Sequence, residues 1–235
     1  RKRFLLLFTL VSVVCTAALA TVEQGMIVAG MLLFVAANVG FEGGLVFYDA
    51  FLPGITSRKS YGRVSGYGYA MGYVGALAIL LLVLLVLPDA SAPGYFSAVR
   101  STFIMAAGFF LLFSLPLFLF VHEPPLTAPR PPALLRTGFR RSFQTLRALF
   151  VEREFPSLGR FLLSFFFYND GILTVIAFAA IFAGKTLGMS DAEIIAFFAI
   201  VQTSAIVGSV VFGFVTDRLG PKRTMLVAKV PVSAV

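Results

Sequence analysis

Three carboxylates, Glu42, Asp49 and Asp170, stand inside stretches of sequence that are otherwise almost uncharged. An ionised carboxylate facing hydrocarbon costs several kcal/mol, so such a group faces a wet cavity, pairs with a cation or carries a proton. Any of these states can serve solute binding or proton exchange. Asp170 lies in the run Tyr168-Asn169-Asp170-Gly171, with Thr174 one turn later. Acid, amide and glycine together predict a locally opened helix. Its freed carbonyls, the Asp170 carboxylate and the Asn169 amide could bind an ammonium or exchange a proton. The same groups could equally hydrogen-bond a neighbouring helix. Asn38, Glu42 and Asp49 fall within about 60° of one another at 100° per residue, which builds one wet helix face. Asp49 lies nearer the end of its run, within reach of the interface. Gln202 is a further polar residue near the centre of the run 193–215.

Other chemistries lack their residues. Cys15 is the single cysteine and His122 the single histidine. Neither an intrachain disulfide nor a thiolate or histidine metal cluster is therefore expected. An intramembrane enzyme would want a nucleophile with its base, or such a cluster, at membrane depth. No enzyme activity, metal or cofactor is expected. Gly68, Gly72 and Gly75, with Ala76, line one helix face and predict close helix packing or a hinge. Their spacing loosely matches a dinucleotide-binding glycine pattern, but no strand precedes them and no soluble βαβ unit surrounds them.

These side chains need rigid supports, and the composition says what kind. Of 235 residues 59% are hydrophobic, 13% charged and 27 are Phe, and the mean hydropathy is +0.94, outside the range of soluble domains. Apolar runs long enough to cross a hydrocarbon core about 30 Å thick recur along the chain. They predict six spans, at 4–20, 25–52, 64–87, 102–121, 158–183 and 193–215, with a seventh starting at 224. Continuous apolar runs lack the two-residue alternation of a membrane barrel, so the spans are helices.

The net charge of +8 suits nucleic acid only if the cations cluster for it. Instead they follow membrane sidedness. Arg1, Lys2 and Arg3 precede the first span, and Arg58, Lys59 and Arg63 separate the second from the third. Arg130, Arg136, Arg140, Arg141, Arg147, Arg153 and Arg160 flank the fourth and fifth, and Arg218, Lys222 and Arg223 follow the sixth. Sixteen of the 19 cations thus fall on one side, leaving Arg100 and Lys185 opposite and Lys229 in the incipient seventh span. By the positive-inside rule that side is cytoplasmic. No nucleic-acid partner is expected.

Residues 122–156 form the one long polar stretch, rich in proline and then in arginine. They predict a cytoplasmic linker between bundle 1–121, with four spans, and bundle 157–235, with two spans and part of a third. Within it, Leu135, Phe139, Phe143, Leu146 and Phe150 recur at helical spacing over 134–150, with Arg136, Arg140, Arg141, Gln144 and Arg147 largely elsewhere. A basic amphipathic helix on the cytoplasmic leaflet follows, with partner binding as the other use of such a face. The first twenty residues also mimic a secretory signal, but the basic opening triplet and unfinished last span read better as a piece of a longer chain.

The polar turn at 213–223 reads Gly-x-x-x-Asp-Arg-x-Gly-x-Lys-Arg. Gly213 permits close helix approach, while Asp217 and Arg218 can pair with each other or with a neighbouring helix end. The pattern resembles the cytoplasmic loop signature of the major facilitator superfamily, which joins the second and third helices of each six-helix half. The resemblance implies an all-α membrane protein with the major facilitator fold, of which this chain holds six complete transmembrane helices and part of a seventh from a 6+6 architecture. It also implies a gating role for Gly213, Asp217, Arg218, Gly220, Lys222 and Arg223. Pro221 departs from the usual basic residue. Without the resemblance, the segment is also an ordinary positive-inside turn.

A narrower likeness is carried by Asn38-Val39-Gly40-Phe41-Glu42, Phe47-Tyr48-Asp49-Ala50-Phe51-Leu52-Pro53, Gly62-Arg63-Val64-Ser65-Gly66-Tyr67-Gly68 and Tyr168-Asn169-Asp170-Gly171-Ile172. These resemble the vacuole effluxer branch of the superfamily, which includes fungal autophagy-related vacuolar amino-acid exporters. That likeness implies amino-acid efflux, across a bacterial plasma membrane or, in a fungus, the vacuolar membrane. The expected function is secondary transport of a small polar solute by alternating access. With no Walker sequence present, a proton or solute gradient drives it. The expected solute or coupling-ion residues are Asp170, Asn169, Tyr168, Glu42, Asn38 and Gln202, completed by helices outside this sequence. The alternative is a transporter-like receptor that binds a ligand without moving it.

Overall fold

The computed structural model describes residues 1–89, 91–123, 134–152 and 155–229. Prolines 124, 125, 129, 131 and 132 and Arg130 and Arg153 of the expected linker lie outside them. Among the described residues the chain is helical: α1 Lys2–Ala18, α2 Ile27–Asp49, α3 Leu52–Ile55, α4 Tyr61–Val86, α5 Tyr95–Phe120, α6 Leu134–Phe150, α7 Pro156–Lys185, α8 Asp191–Leu219 and α9 Pro221–Lys229. Six segments are long and apolar enough to cross a membrane: Lys2–Thr21, Ile27–Ile55, Arg58–Val86, Tyr95–Phe120, Pro156–Lys185 and Asp191–Leu219. Each matches one expected span, with ends that agree within two residues or run up to seven residues further, because polar ends continue a helix once the apolar stretch has set its axis. This is an all-α, multi-pass membrane protein. Hydrocarbon offers backbone amides no partner, so every long apolar run closes its hydrogen bonds within itself.

The chain divides into two compact units, residues 1–124 with 191–235, and residues 125–190. In the first, α1 packs on α2 and α5, and α4 packs along α8. Leu5, Thr9, Ser12 and Val13 of α1 are buried, facing Ala37, Gly40 and Gly44 of α2. Contact there is close: a Cβ on Gly40 would stand 2.7 Å from the Ser12 amide nitrogen and 2.9 Å from the Phe8 carbonyl oxygen. Phe47 stacks on Phe4 and Phe8, and Phe41 meets Phe110 of α5 edge-on. In the second unit α6 meets α7 near the turn that joins them.

Most apolar side chains on the spans are exposed, Leu85 at 83% and Ile27 at 71% among them. In water this would be untenable. On a membrane helix those faces meet lipid or further helices, and dispersion between small residues, not exclusion of water, holds the helices together.

One expected feature differs. The helix does not open at Tyr168-Asn169-Asp170-Gly171; α7 runs unbroken through it. A lone glycine lowers helix propensity by only about 1 kcal/mol, and opening the ladder in hydrocarbon costs more.

Candidate functional site

The best-defined polar site in the first unit joins the start of α4 to the end of α8. The Asp217 carboxylate accepts from the Gly62 amide at 2.7 Å, the Arg63 amide at 3.2 Å and the Arg63 Nε at 2.8 Å. Those two amides belong to the first turn of α4, whose N–H groups have no partner within their own helix. A carboxylate from another helix therefore caps α4, satisfying its orphan donors and lying at the positive end of its dipole. Arg63 also reaches the Ser60 hydroxyl at 3.3 Å, and its guanidinium lies 5.6 Å from the centre of the Phe214 ring. Tyr67 meets the same ring edge-on. The Asp217 side chain is only 10% exposed, so little water competes for its oxygens.

Backbone contact makes this geometry reachable. A Cβ on Gly62 would stand 2.6 Å from the Gly213 carbonyl oxygen, and one on Gly66 2.5 Å from that of Ser209. A Cβ on Gly213 would in turn lie 2.9 Å from the Gly62 carbonyl oxygen. Gly62 and Gly66 on α4, and Ser209 and Gly213 on α8, form two small-x-x-x-small pairs facing each other, the spacing that brings membrane helices closest. This closest approach of α4 and α8 lies ahead of the Gly68, Gly72 and Gly75 face expected for helix packing or a hinge. Gly72 has open space where a side chain would stand, Gly68 meets the Tyr48 hydroxyl at 3.4 Å and Gly75 meets the Phe109 ring at 3.6 Å.

The rest of the 213–223 turn is shaped by Gly220. Its φ of +82° suits glycine, and its amide donates to the Thr216 carbonyl, ending α8. Pro221 then starts α9 at a position where the missing N–H costs nothing. Of the two partners open to Asp217, the structure provides the neighbouring helix end. Arg218, Lys222 and Arg223 are exposed.

The same unit is also held at its opposite end. The Tyr95 hydroxyl donates to Asp191 at 2.7 Å, and Arg100 lies 3.8 Å from Glu23. A cleft of about 600 Å³ opens there between Leu19, Val22, Glu23, Phe96, Arg100 and Phe103.

On α2, Asn38 and Glu42 are exposed one turn apart, and the Asn38 amide donates to the Phe34 carbonyl of its own helix at 2.9 Å. Tyr48 and Asp49 are exposed at the end of α2, and a Cβ on Gly68 of α4 would stand 3.4 Å from the Tyr48 hydroxyl. Tyr69 and Tyr73 lie one turn apart on α4. Sequence reading missed Tyr48 as a contact between α2 and α4. Gln202 is half-buried on α8. In the second unit, Tyr168, Asn169 and Asp170 lie exposed on the continuous α7. Successive positions fan over about 200°, so the three do not share a face, whereas Asp170 and Thr174 stack one turn apart. No group of three or more His, Cys, Asp or Glu among the described residues could hold a metal ion.

Comparison with known proteins gives these features a lineage. The family model described as "Vacuole effluxer Atg22 like" matches residues 1–235. A Bacillus subtilis protein named as an uncharacterized MFS-type transporter, YxiO, is 30% identical over 230 residues, covering 96% of this chain and 52% of that protein. Autophagy-related protein 22-1 of Emericella nidulans is 26% identical over 171 residues, 67% of this chain and 28% of that protein. Autophagy-related protein 22 of Yarrowia lipolytica is 25% identical over 200 residues, 75% and 33% respectively. The chain thus spans about half the length of the bacterial relative and a third or less of the fungal ones. No solved structure matches it. With six membrane-length helices and a family match from end to end, this chain belongs to the vacuole effluxer Atg22-like family.

Proposed function

We propose that the chain is part of a secondary active transporter that moves a small polar solute, an amino acid in the effluxer reading, by alternating access. The single observation that carries this is the joint at Asp217. Two helices 155 residues apart in sequence meet there through close backbone, one carboxylate and the packing of Arg63 and Tyr67 on Phe214. In this reading the joint closes with the charge capping α4 and opens with the charge in water. Alternating access needs a bistable element of that kind.

In this reading Gly213, Asp217, Arg218, Gly220, Lys222 and Arg223 form the gate with Gly62, Arg63 and Gly66. The gate lies at the cation-rich, cytoplasmic end. Glu42, Asn38, Tyr48, Tyr69 and Tyr73 form one wall of the solute path, to which a carboxylate and aromatic faces bring affinity for an ammonium. Asp170, Asn169, Tyr168 and Gln202 serve solute or proton contact on helices that the rest of the protein completes. The whole protein would have two bundles joined by the basic linker, in a plasma membrane for a bacterial chain.

The test uses the full-length protein in proteoliposomes, following uptake of a radiolabelled amino-acid panel with and without a pH gradient. Saturable, gradient-dependent flux that Asp217→Asn slows supports the reading. Ligand binding with no flux under any gradient would replace it with a receptor.

A further inference from the structure

The strongest surface feature outside the gate is α6. At 100° per residue, Phe139, Phe143, Leu146 and Phe150 fall within roughly 60° of one another, and Arg136, Arg140 and Arg147 occupy the sector beside them. Leu149 lies on the opposite flank. The structure uses that flank: Leu149 is buried, and its carbonyl oxygen would be 3.1 Å from a Cβ on Gly159 of α7. Only the last turn of α6 is therefore seated. Phe139 is 78% exposed, Phe143 70% and Leu146 54%, an open apolar strip bordered by guanidinium groups. Arg147 is held by Glu152 at 2.9 Å, and Arg136 and Arg140 are exposed. The helix itself contains no acidic residue.

An open face of this kind needs an occupant, and its charge selects one. A purely apolar protein groove would leave the arginine flank without counter-charge, and a soluble acidic partner would leave the phenylalanines wet. An anionic bilayer surface offers both, because acyl chains lie just beneath phosphates. We propose that α6 is a lipid-reading helix. Phe139, Phe143 and Leu146 enter the headgroup boundary of an anionic leaflet, and Arg136 and Arg140 hold its phospholipid phosphates. Arg141, on the far side of the helix, points to water. The packed last turn anchors α6 to α7, so leaflet charge sets how the segment leading into that span is held. The proposal needs only the membrane placement of the chain and stands whether or not the chain transports.

The test uses the full-length protein, free of other reactive cysteines, in nanodiscs of phosphatidylcholine alone or mixed with phosphatidylglycerol. A fluorophore is placed by Phe143→Cys and, in a second variant, by Leu146→Cys, and quenching by brominated lipid is read. The expected result is quenching that grows with phosphatidylglycerol and weakens in high salt. Arg136→Gln and Arg140→Gln should each weaken the preference for phosphatidylglycerol about fivefold. Arg141→Gln should change it far less, and Lys at 136 and 140 should restore it, because a leaflet reads charge. Equal quenching in both lipids, or failure of Lys to restore the preference, would overturn the proposal. So would a label shielded from lipid in both discs, which would make the occupant protein.

Discussion

The two ends of α8 are held by opposite means. At one end Gly213 lies against Gly62 with no side chain between them, and Asp217 takes three hydrogen bonds from α4. At the other end the Tyr95–Asp191 hydrogen bond reaches α5, beside an exposed Glu23–Arg100 pair and an open cleft. The difference is between a joint whose carboxylate is largely shielded from water and one whose groups can exchange their partners for water at little cost. A helix held this way is expected to swing its exposed end or to release its glycine joint in one step.

The sharpest way to break the contrast is to push the tight end apart. Gly66→Leu places a side chain where the Ser209 carbonyl already stands, and overpacking of this kind costs about 1–3 kcal/mol. A cysteine pair at positions 67 and 214, where the native rings meet edge-on at 6.1 Å, should then cross-link poorly with a short bifunctional reagent, while unaffected cross-linking would show the close approach to be inessential. Asp217→Asn keeps the shape but removes the charge that caps α4. Labelling of a cysteine at position 216, half-buried and facing Gly62, should rise roughly tenfold, the scale of one charge-assisted hydrogen bond lost; no rise would reduce the joint to glycine packing. At the loose end, Tyr95→Phe removes one exposed hydrogen bond, and thermal stability in detergent should fall by at most about 1 kcal/mol. A larger loss would mean that both ends are held tightly. Gly72→Ala adds a methyl into open space and should shift stability by less than about 0.5 kcal/mol, a baseline for the glycines that do touch.

What the sequence disclosed, and what it withheld, follows the range of the forces involved. Apolar run length set the spans, and the 3.6-residue period of Phe139, Phe143, Leu146 and Phe150 gave α6 with the bounds observed. Those signals are local. The stripe of Gly68, Gly72 and Gly75 showed that a close approach is allowed, but not which helix arrives or at what height. Gly62 and Gly66 carry the same spacing, and only the partner pair Ser209 and Gly213 distinguishes the two registers. Asp217 was legible as a charge at a membrane boundary, whereas its bond to Arg63 depends on a register between elements far apart in sequence. At Tyr168-Asn169-Asp170-Gly171 polar side chains favoured an opened helix, and the backbone's need for hydrogen bonds in hydrocarbon won.

The bare contact of Gly62 and Gly66 with Ser209 and Gly213 has a thermal consequence. Separating two backbones uncovers little apolar surface beyond the Tyr67–Phe214 edge contact, and apolar surface newly exposed to water is what gives conformational change its heat capacity. Opening of this joint should therefore show an activation enthalpy that barely changes with temperature, and an Eyring plot of the rate should be close to straight. Gates built from interdigitated large side chains should curve under the same measurement.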